Sequence, residues 1–151
     1  MIKIIPIVFV LFLLSCGETP HFDKTFSFEN KEWDQRVMPT FSFDISDTTK
    51  AYDVILTLRV TTSYSFNNLW IFMNSKTPSG INKRDPFQIP ISNPDGSWIG
   101  TKSGTVVENQ LVFQARKFPE IGTYTIGIEQ GIVEEKIDEI LDVGLRIRER
   151  K

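Results

Sequence analysis

The chain has 151 residues, a formal net charge of −2 and one cysteine. Its length suits a single folded domain, and one cysteine excludes an internal disulfide. The charge balance provides no basic patch of the kind that nucleic-acid binding requires. The densest basic run, Arg146, Arg148, Arg150 and Lys151, lies at the C-terminus, and we interpret it as a solvated strand face and tail rather than an anion site.

The N-terminal residues predict an export signal. Lys3 is followed by an apolar stretch from Ile4 to Leu14, which is too short for a membrane span of about 20 residues but has the length of a signal-peptide core. The stretch ends in "LLSC", which resembles the lipobox of bacterial lipoproteins. The resemblance implies that residues 1–15 are cleaved and that Cys16 carries a diacylglyceryl group and an N-acyl chain such as palmitate. We expect no other cofactor.

Lipidation at Cys16 has consequences for location. More than one acyl chain is enough for stable membrane anchoring. By resemblance, Gly17 in place of an aspartate implies the outer membrane, and the single acidic residue Glu18 favours its periplasmic face. We interpret residues 16–24 as the lipidated N-terminus and tether and residues 25–151 as the folded domain.

The rest of the chain has a hydrophobic period of two. Val54, Leu56, Leu58 and Val60 alternate with mostly polar residues, as a strand buried on one face requires. Runs of the same period cover residues 26–28, 41–45, 87–91, 111–115, 124–128 and 143–147. About eight strands separated by turn sequences predict an all-β fold, an antiparallel, jelly-roll-like β-sandwich.

Three segments carry more specific predictions. Residues 69–73 are all apolar, which predicts a central strand buried on both faces. Trp70 follows two asparagines and could stack on a sugar if it were exposed, but core packing is the favoured interpretation. Pro90 marks the run 87–91 as an edge strand or a bulge, because proline lacks a backbone N–H. Residues 131–141 have a helical apolar spacing, although a single turn or a loop fits them equally well.

The sequence offers little for catalysis. His21, the one histidine, lies in the predicted tether without a positioned partner. With the cysteine committed to lipid, Cys/His metal sites and nucleophilic triads are excluded. A glycosidase-like carboxylate pair stays open, with Asp95, Glu108 and Glu129 as candidates, but surface charges are the favoured interpretation. We therefore expect no enzymatic activity and no metal site.

Three other carboxylates are candidate calcium ligands. Asp44, Asp47 and Asp53 lie in or near one loop, but they lack the regular ligand spacing of a calcium-binding loop. We expect Asp47 to cap the turn formed by residues 46–49.

The best candidates for a ligand or partner contact are Trp98 and Asp95. Trp98 follows Asp95-Gly96-Ser97, and an exposed tryptophan beside such polar residues can stack on a sugar or fill a partner's pocket. Core packing of Trp98 is an equally good interpretation.

Several stretches together resemble the gliding motility lipoproteins of the GldH family of the Bacteroidota. They are "FDI" at 43–45, "NNL" at 67–69, "NPDGSWIGTKSG" at 93–104, "FPEIGTYTIGIEQ" at 118–130 and "DVGLRI" at 142–147. The resemblance implies a lipid-anchored accessory or scaffold protein of the gliding machinery, tied to type IX secretion, with protein partners in that apparatus. It supplies no catalytic residue. The alternative is a glycan-binding envelope module with Trp98 as its stacking platform, which rests on analogy between folds.

Overall fold

The structure is a computed structural model that describes residues 20–151. The predicted signal peptide, Cys16, Gly17 and Glu18 lie outside the described residues. Within residues 20–151, no helix is long and apolar enough to cross a bilayer.

The described chain is built from antiparallel strands, which confirms the all-β prediction. The strands are β1 (Phe22–Ser27), β2 (Glu32–Asp34), β3 (Thr40–Ile45), β4 (Tyr52–Thr61), β5 (Asn68–Lys76), β6 (Asn82–Pro90), β7 (Thr101–Ser103), β8 (Val106–Arg116), β9 (Gly122–Gln130), β10 (Lys136–Asp138) and β11 (Ile140–Glu149). One turn of 3-10 helix covers Glu29–Lys31. The eight strands predicted from sequence correspond to the longer strands, since β2, β7 and β10 have three residues each.

The strands form two sheets and a ribbon. The five-stranded sheet has the order β1-β11-β4-β8-β7, the four-stranded sheet has the order β3-β9-β5-β6, and β2 pairs with β10. Every pairing is antiparallel. The arrangement confirms the predicted antiparallel sandwich.

The core lies between the inner faces of the two sheets. Leu56 and Leu58 of β4 and Leu69 of β5 are fully buried there. Successive side chains of a strand point to opposite faces, so the predicted alternation places the apolar set inside. Burial of each leucine side chain contributes about 1.5–3 kcal/mol, and this contribution fixes the register of the strands.

The prediction for residues 69–73 is wrong in one respect. β5 is an interior strand between β9 and β6, and Leu69, Ile71 and Met73 are buried. Trp70, however, is 45% exposed. The sandwich has only two layers, so the outer face of β5 is covered by no third layer and meets solvent.

Residues 131–141 form no helix. Within them lies β10, in which Ile137 pairs with Trp33 of β2. Trp33 is fully buried, stacks on Phe28 with ring centroids 4.7 Å apart and donates its indole N–H to the Val37 carbonyl at 2.9 Å. The pairing with β2 buries Ile137 in an extended conformation, and this tertiary contact outweighs the helical spacing.

The first strand begins within the predicted tether of residues 16–24. β1 starts at Phe22, which pairs with Ile147 of β11 and has its ring 5.7 Å from that of Phe43. An aromatic contact with the opposite sheet therefore extends the sandwich three residues further toward the N-terminus than predicted.

The edge prediction for the run 87–91 is confirmed. β6 pairs only with β5 and forms one edge of the four-stranded sheet. Pro86 and Pro90 both lie in β6, where an unpaired edge tolerates the missing N–H.

Candidate functional site

The predicted contact residue Asp95 lies at the tip of a hairpin between β6 and β7. Its Oδ1 atom accepts hydrogen bonds from the backbone N–H of Ser97 at 2.9 Å and from the Ser97 hydroxyl at 2.6 Å. These bonds favour the charged carboxylate and lower the pKa of Asp95. Gly96 has φ = 84°, a conformation that glycine adopts without strain. Asp95 is exposed and stabilises its own turn.

Trp98 stands at the base of the same hairpin. It forms an isolated bridge with Ser92, is half-buried and packs against the core. The most exposed tryptophan of the described chain is instead Trp70, on the outer face of the four-stranded sheet opposite Gln88 of β6. The structure thus separates the two predicted residues: Asp95 shapes the tip of the hairpin, and Trp98 attaches its base to the core.

The candidate carboxylates do not converge. Glu129 points from the outer face of β9 to Arg84, with 3.0 Å between the guanidinium and Oε1, and this ion pair is the main reason that the pKa of Glu129 is lowered. Glu108 lies on the outer face of the other sheet, where it accepts a hydrogen bond from Gln110 at 3.0 Å. Asp95 is in the hairpin, so the three carboxylates lie on different surfaces.

The remaining polar candidates also have structural partners. The Nε2 atom of His21 is 2.6 Å from the carbonyl oxygen of Asp44, which places this histidine against β3 rather than in a free tether. Asp47 accepts bonds from the backbone N–H and the hydroxyl of Thr49 at 2.9 and 2.6 Å, which confirms the predicted turn cap. Among residues 20–151, no cluster of three His, Cys, Asp or Glu residues could hold a metal ion.

A cleft lies between the edges of the two sheets. It has a volume of about 390 Å³ and lies where β6 faces β8. Phe87 of β6 and Phe113 of β8 meet edge to face across it, with ring centroids 4.9 Å apart. Phe118 and Tyr124, with centroids 4.8 Å apart, line it further along. We call this surface the edge cleft.

The edge cleft has a cationic rim. Its exposed basic residues are Lys76, Lys83, Arg116 and Lys117. None of these four forms an ion pair with another residue of the described chain. Asp85 is the one carboxylate in the lining. The cleft therefore combines aromatic walls with an excess of uncompensated positive charge.

A second cavity lies between the C-terminal end of β6 and the first half of β8. It has a volume of about 310 Å³ and is lined by Pro90, Gly100, Asn109 and their neighbours. Asn109 is 3% exposed, and neither its Nδ2 nor its Oδ1 atom has a hydrogen-bond partner. A Cβ atom on Gly100 would lie 2.1 Å from the carbonyl oxygen of Glu108, so only glycine permits this close approach. We call this space the amide cavity.

Sequence reasoning found neither cavity. The rim cations come from β5, from β6 and from the chain around the end of β8. They are therefore far apart in the sequence, and no run of basic residues predicts them. The two signals that pointed to this region were Pro90, which placed β6 at an edge, and the alternation at 111–115, which turned Phe113 inward.

Comparison with known proteins identifies the family. The family model described as GldH lipoprotein matches residues 21–147. The chain is 31% identical to the gliding motility lipoprotein GldH of Flavobacterium johnsoniae, over 93% of this chain and 91% of that protein. It is 29% identical to a gliding motility lipoprotein GldH homolog of Christiangramia forsetii, over 91% and 89% of the two chains. The chain belongs to the GldH lipoprotein family.

Proposed function

We propose that this protein is a lipid-anchored, non-catalytic accessory or scaffold protein of the gliding motility machinery, acting at the outer membrane in connection with type IX secretion. The observation that carries the proposal is the family match over residues 21–147, together with relatives named as gliding motility lipoproteins. The lipobox ending in Cys16 supports the anchor. Gly17 and Glu18 support the periplasmic face of the outer membrane.

The proposed mechanism is docking under confinement. An acyl anchor on Cys16 restricts the domain to a layer close to the membrane, which raises its concentration relative to partners in the same envelope. A weak interface then stays occupied without large buried area. The edge cleft is the surface that we assign to docking, since it is concave, partly apolar and bordered by uncompensated charge.

The test is co-purification from the native envelope. A tagged protein is cross-linked mildly in cells, solubilised in detergent and purified, and the attached proteins are identified by mass spectrometry. We expect subunits of the gliding or secretion apparatus with the wild-type protein and their loss with Cys16→Ala, which prevents acylation. Full motility and an unchanged set of partners with Cys16→Ala would refute the anchored scaffold.

A sorting variant provides the matched control. Gly17→Asp leaves Cys16 available for acylation and changes only the residue that determines the target membrane by resemblance. We expect membrane fractionation to find this variant in the inner membrane, without the outer-membrane partners. Normal function from the inner membrane would exclude the proposed location while leaving the anchor intact.

A second candidate function is glycan binding, and the exposure of Trp70 favours a different platform from the one predicted. Trp70 is 45% exposed on a sheet face with Gln88 directly across, and an aromatic face beside an amide suits stacking on a sugar. Sedimentation with purified envelope polysaccharide distinguishes the two platforms. If the sugar binds on the sheet face, Trp70→Ala would abolish binding. If it binds at the hairpin, Trp98→Ala would abolish binding. No sedimentation of the wild-type protein would reject both platforms.

A further inference from the structure

We infer that the outer edge of β8, together with the edge cleft and the amide cavity, binds an extended acidic segment of a partner protein as an added strand. The inference rests on the docking role proposed above, and it holds whichever machinery the partner belongs to. Three independent observations support it: an open strand edge, an uncompensated cationic rim and a buried amide without partners.

The outer edge of β8 is open in its central part. β7 pairs only with Val106, Val107 and Glu108, whereas β8 continues to Arg116. From Gln110 to Gln114, no other strand of the described chain pairs with this edge. Gly100 lies against Asn109 at one end of this stretch, and at the other end the Ala115 N–H donates to Asp53. Unpaired N–H and C=O groups of this kind are the template for strand addition.

The neighbouring edge of β6 is protected, and that of β8 is not. β6 carries Lys83, Pro86 and Pro90, and lysine and proline are the residues that proteins use to block edge pairing. The β8 segment Asn109–Ala115 contains neither proline nor a charged side chain. The contrast assigns the added strand to β8. β6 then forms the far wall of the edge cleft.

The charge on the rim selects an acidic segment. Lys83 extends from β6, and Arg116 and Lys117 lie at the end of β8. Uncompensated cations attract an oppositely charged chain and repel a basic one. Alternate side chains of an added strand point to the same side, so apolar residues at every second position would reach Phe87 and Phe113 while acidic residues face the rim.

The amide cavity gives the site a second, polar end. The Asn109 side chain can accept hydrogen bonds at Oδ1 and donate two at Nδ2. Neither of these two atoms has a partner, and the residue is 3% exposed. A buried amide without hydrogen bonds carries a desolvation cost that a bound peptide group would remove. At about 3.3 Å per residue, a segment of about six residues reaches from this cavity to the edge cleft.

Binding of defined peptides to the acylated protein, purified from detergent-solubilised membranes, tests the inference. The probe is fluorescein-labelled Glu-Phe-Glu-Val-Glu-Phe-Glu, followed by fluorescence anisotropy. We expect saturable binding, and at least about tenfold weaker binding when lysine replaces every glutamate. Proline at two consecutive central positions should also abolish binding, because alternate N–H groups of an added strand face β8 and one of the two missing groups must do so. Equal binding of the proline peptide would overturn the strand geometry.

Charge reversal locates the site. Lys83→Glu should weaken binding of the acidic probe severalfold, and adding Arg116→Glu should increase the loss. Lys24→Glu is the matched control, since Lys24 is an exposed lysine on β1, at the opposite edge of the same sheet. Equal losses with Lys83→Glu and with Lys24→Glu would overturn the assignment to the edge cleft.

Asn109→Leu separates binding from folding. Leucine has the same branched arrangement of side-chain heavy atoms and removes the unsatisfied amide, so the midpoint of thermal unfolding should stay the same or rise, while affinity for the acidic probe falls. A fall in both quantities would mean that Asn109 has only a structural role, which would overturn its part in the site.

The lipid alternative has its own outcome. Saturable binding of short-chain dihexanoyl phosphatidylglycerol, with no binding of either peptide, would overturn the inference in favour of a lipid site. Failure of the peptide tests leaves the envelope partners recovered by cross-linking unchanged, whereas failure of the scaffold proposal would remove those partners and leave peptide binding intact. The two failures are therefore distinguishable.

Discussion

Two cationic regions of this molecule differ in how their charge is compensated. On the outer face of the five-stranded sheet, arginines lie beside carboxylates: the ion pairs are Arg59–Asp142 at 2.5 Å, Arg146–Asp23 at 2.7 Å and Arg148–Asp53 at 2.9 Å. At the edge cleft, four basic side chains share a single carboxylate, Asp85, and form no ion pair with it. The first region is neutralised within the fold, and the second presents its charge outward.

The comparison shows that density of charge along the chain is a poor guide to a site. The densest basic run of the sequence includes Arg146 and Arg148 on β11, and cross-strand neighbours on β1 and β4 neutralise both. The cations of the edge cleft are scattered over more than forty positions, from Lys76 to Lys117. Cross-strand register, rather than composition, decides which charges remain available for a partner.

The largest stability effect should come from breaking the most buried of the ion pairs. Arg59 donates two hydrogen bonds to the Asp142 carboxylate, at 2.8 and 2.5 Å, and Asp142 is buried. Arg59→Met leaves that carboxylate without its cation. Because Arg59 is itself partly exposed, we expect a loss of about 2 kcal/mol of unfolding free energy, measured by urea denaturation at pH 7.

The double variant Arg59→Met/Asp142→Leu tests the reason for that loss. Replacing both charges with apolar side chains removes the uncompensated carboxylate, so most of the lost stability should return. A double variant as unstable as the single one would show that packing of the arginine stem, rather than charge, stabilises this face.

A smaller effect should appear as a dependence on pH. The hydrogen bond from Arg148, helped by the backbone N–H of Ala115, lowers the pKa of Asp53 below its ordinary value. A carboxylate with a lowered folded-state pKa stabilises the protein above the unfolded-state pKa of about 3.9, and this contribution is lost as the pH falls through the folded-state pKa. The stability difference between wild type and Asp53→Asn should be constant from pH 5 to 7 and shrink below pH 4. A difference that persisted at pH 2 would contradict the role of the charge.

The smallest effect on stability should come from the edge cleft. Lys83→Ala and Lys117→Ala remove cations that have no ion-pair partner, so each should change the unfolding free energy by no more than about 0.5 kcal/mol. Denaturation under the same conditions as for Arg59→Met makes the comparison direct. A loss above about 1 kcal/mol would show that these lysines stabilise the fold, and the two cationic regions would no longer differ in kind.

Alternation of apolar and polar residues predicted most of the sandwich, because burial on one face is a local property of each strand. Leu56, Leu58, Tyr124 and Ile126 all point inward as their period predicts. Trp70 was misassigned because an unbroken apolar run looks the same whether a strand is covered on one face or two. Ile137 was ambiguous because its pairing with Trp33 is a contact across about a hundred residues.

The site was less accessible to prediction than the fold. The turn cap at Asp47 was predicted correctly, since the Asx hydrogen bond joins residues two positions apart. The edge cleft depends on which strand ends a sheet and on how far β7 extends along β8. Neither is encoded in a local pattern, because both follow from pairing between distant segments.

The early start of β1 limits how far an anchored domain could lie from a membrane. Only six peptide steps separate Cys16 from Phe22, a reach of about 20 Å when fully extended. β1 is one border of the five-stranded sheet, and β8 lies three strands away, which is about 14 Å at the usual strand spacing. An acyl anchor on Cys16 would therefore hold the β1 border within about 20 Å of the membrane surface. Because this reach exceeds the distance between the two borders, the tether would leave the cleft free to meet a partner chain from the aqueous space.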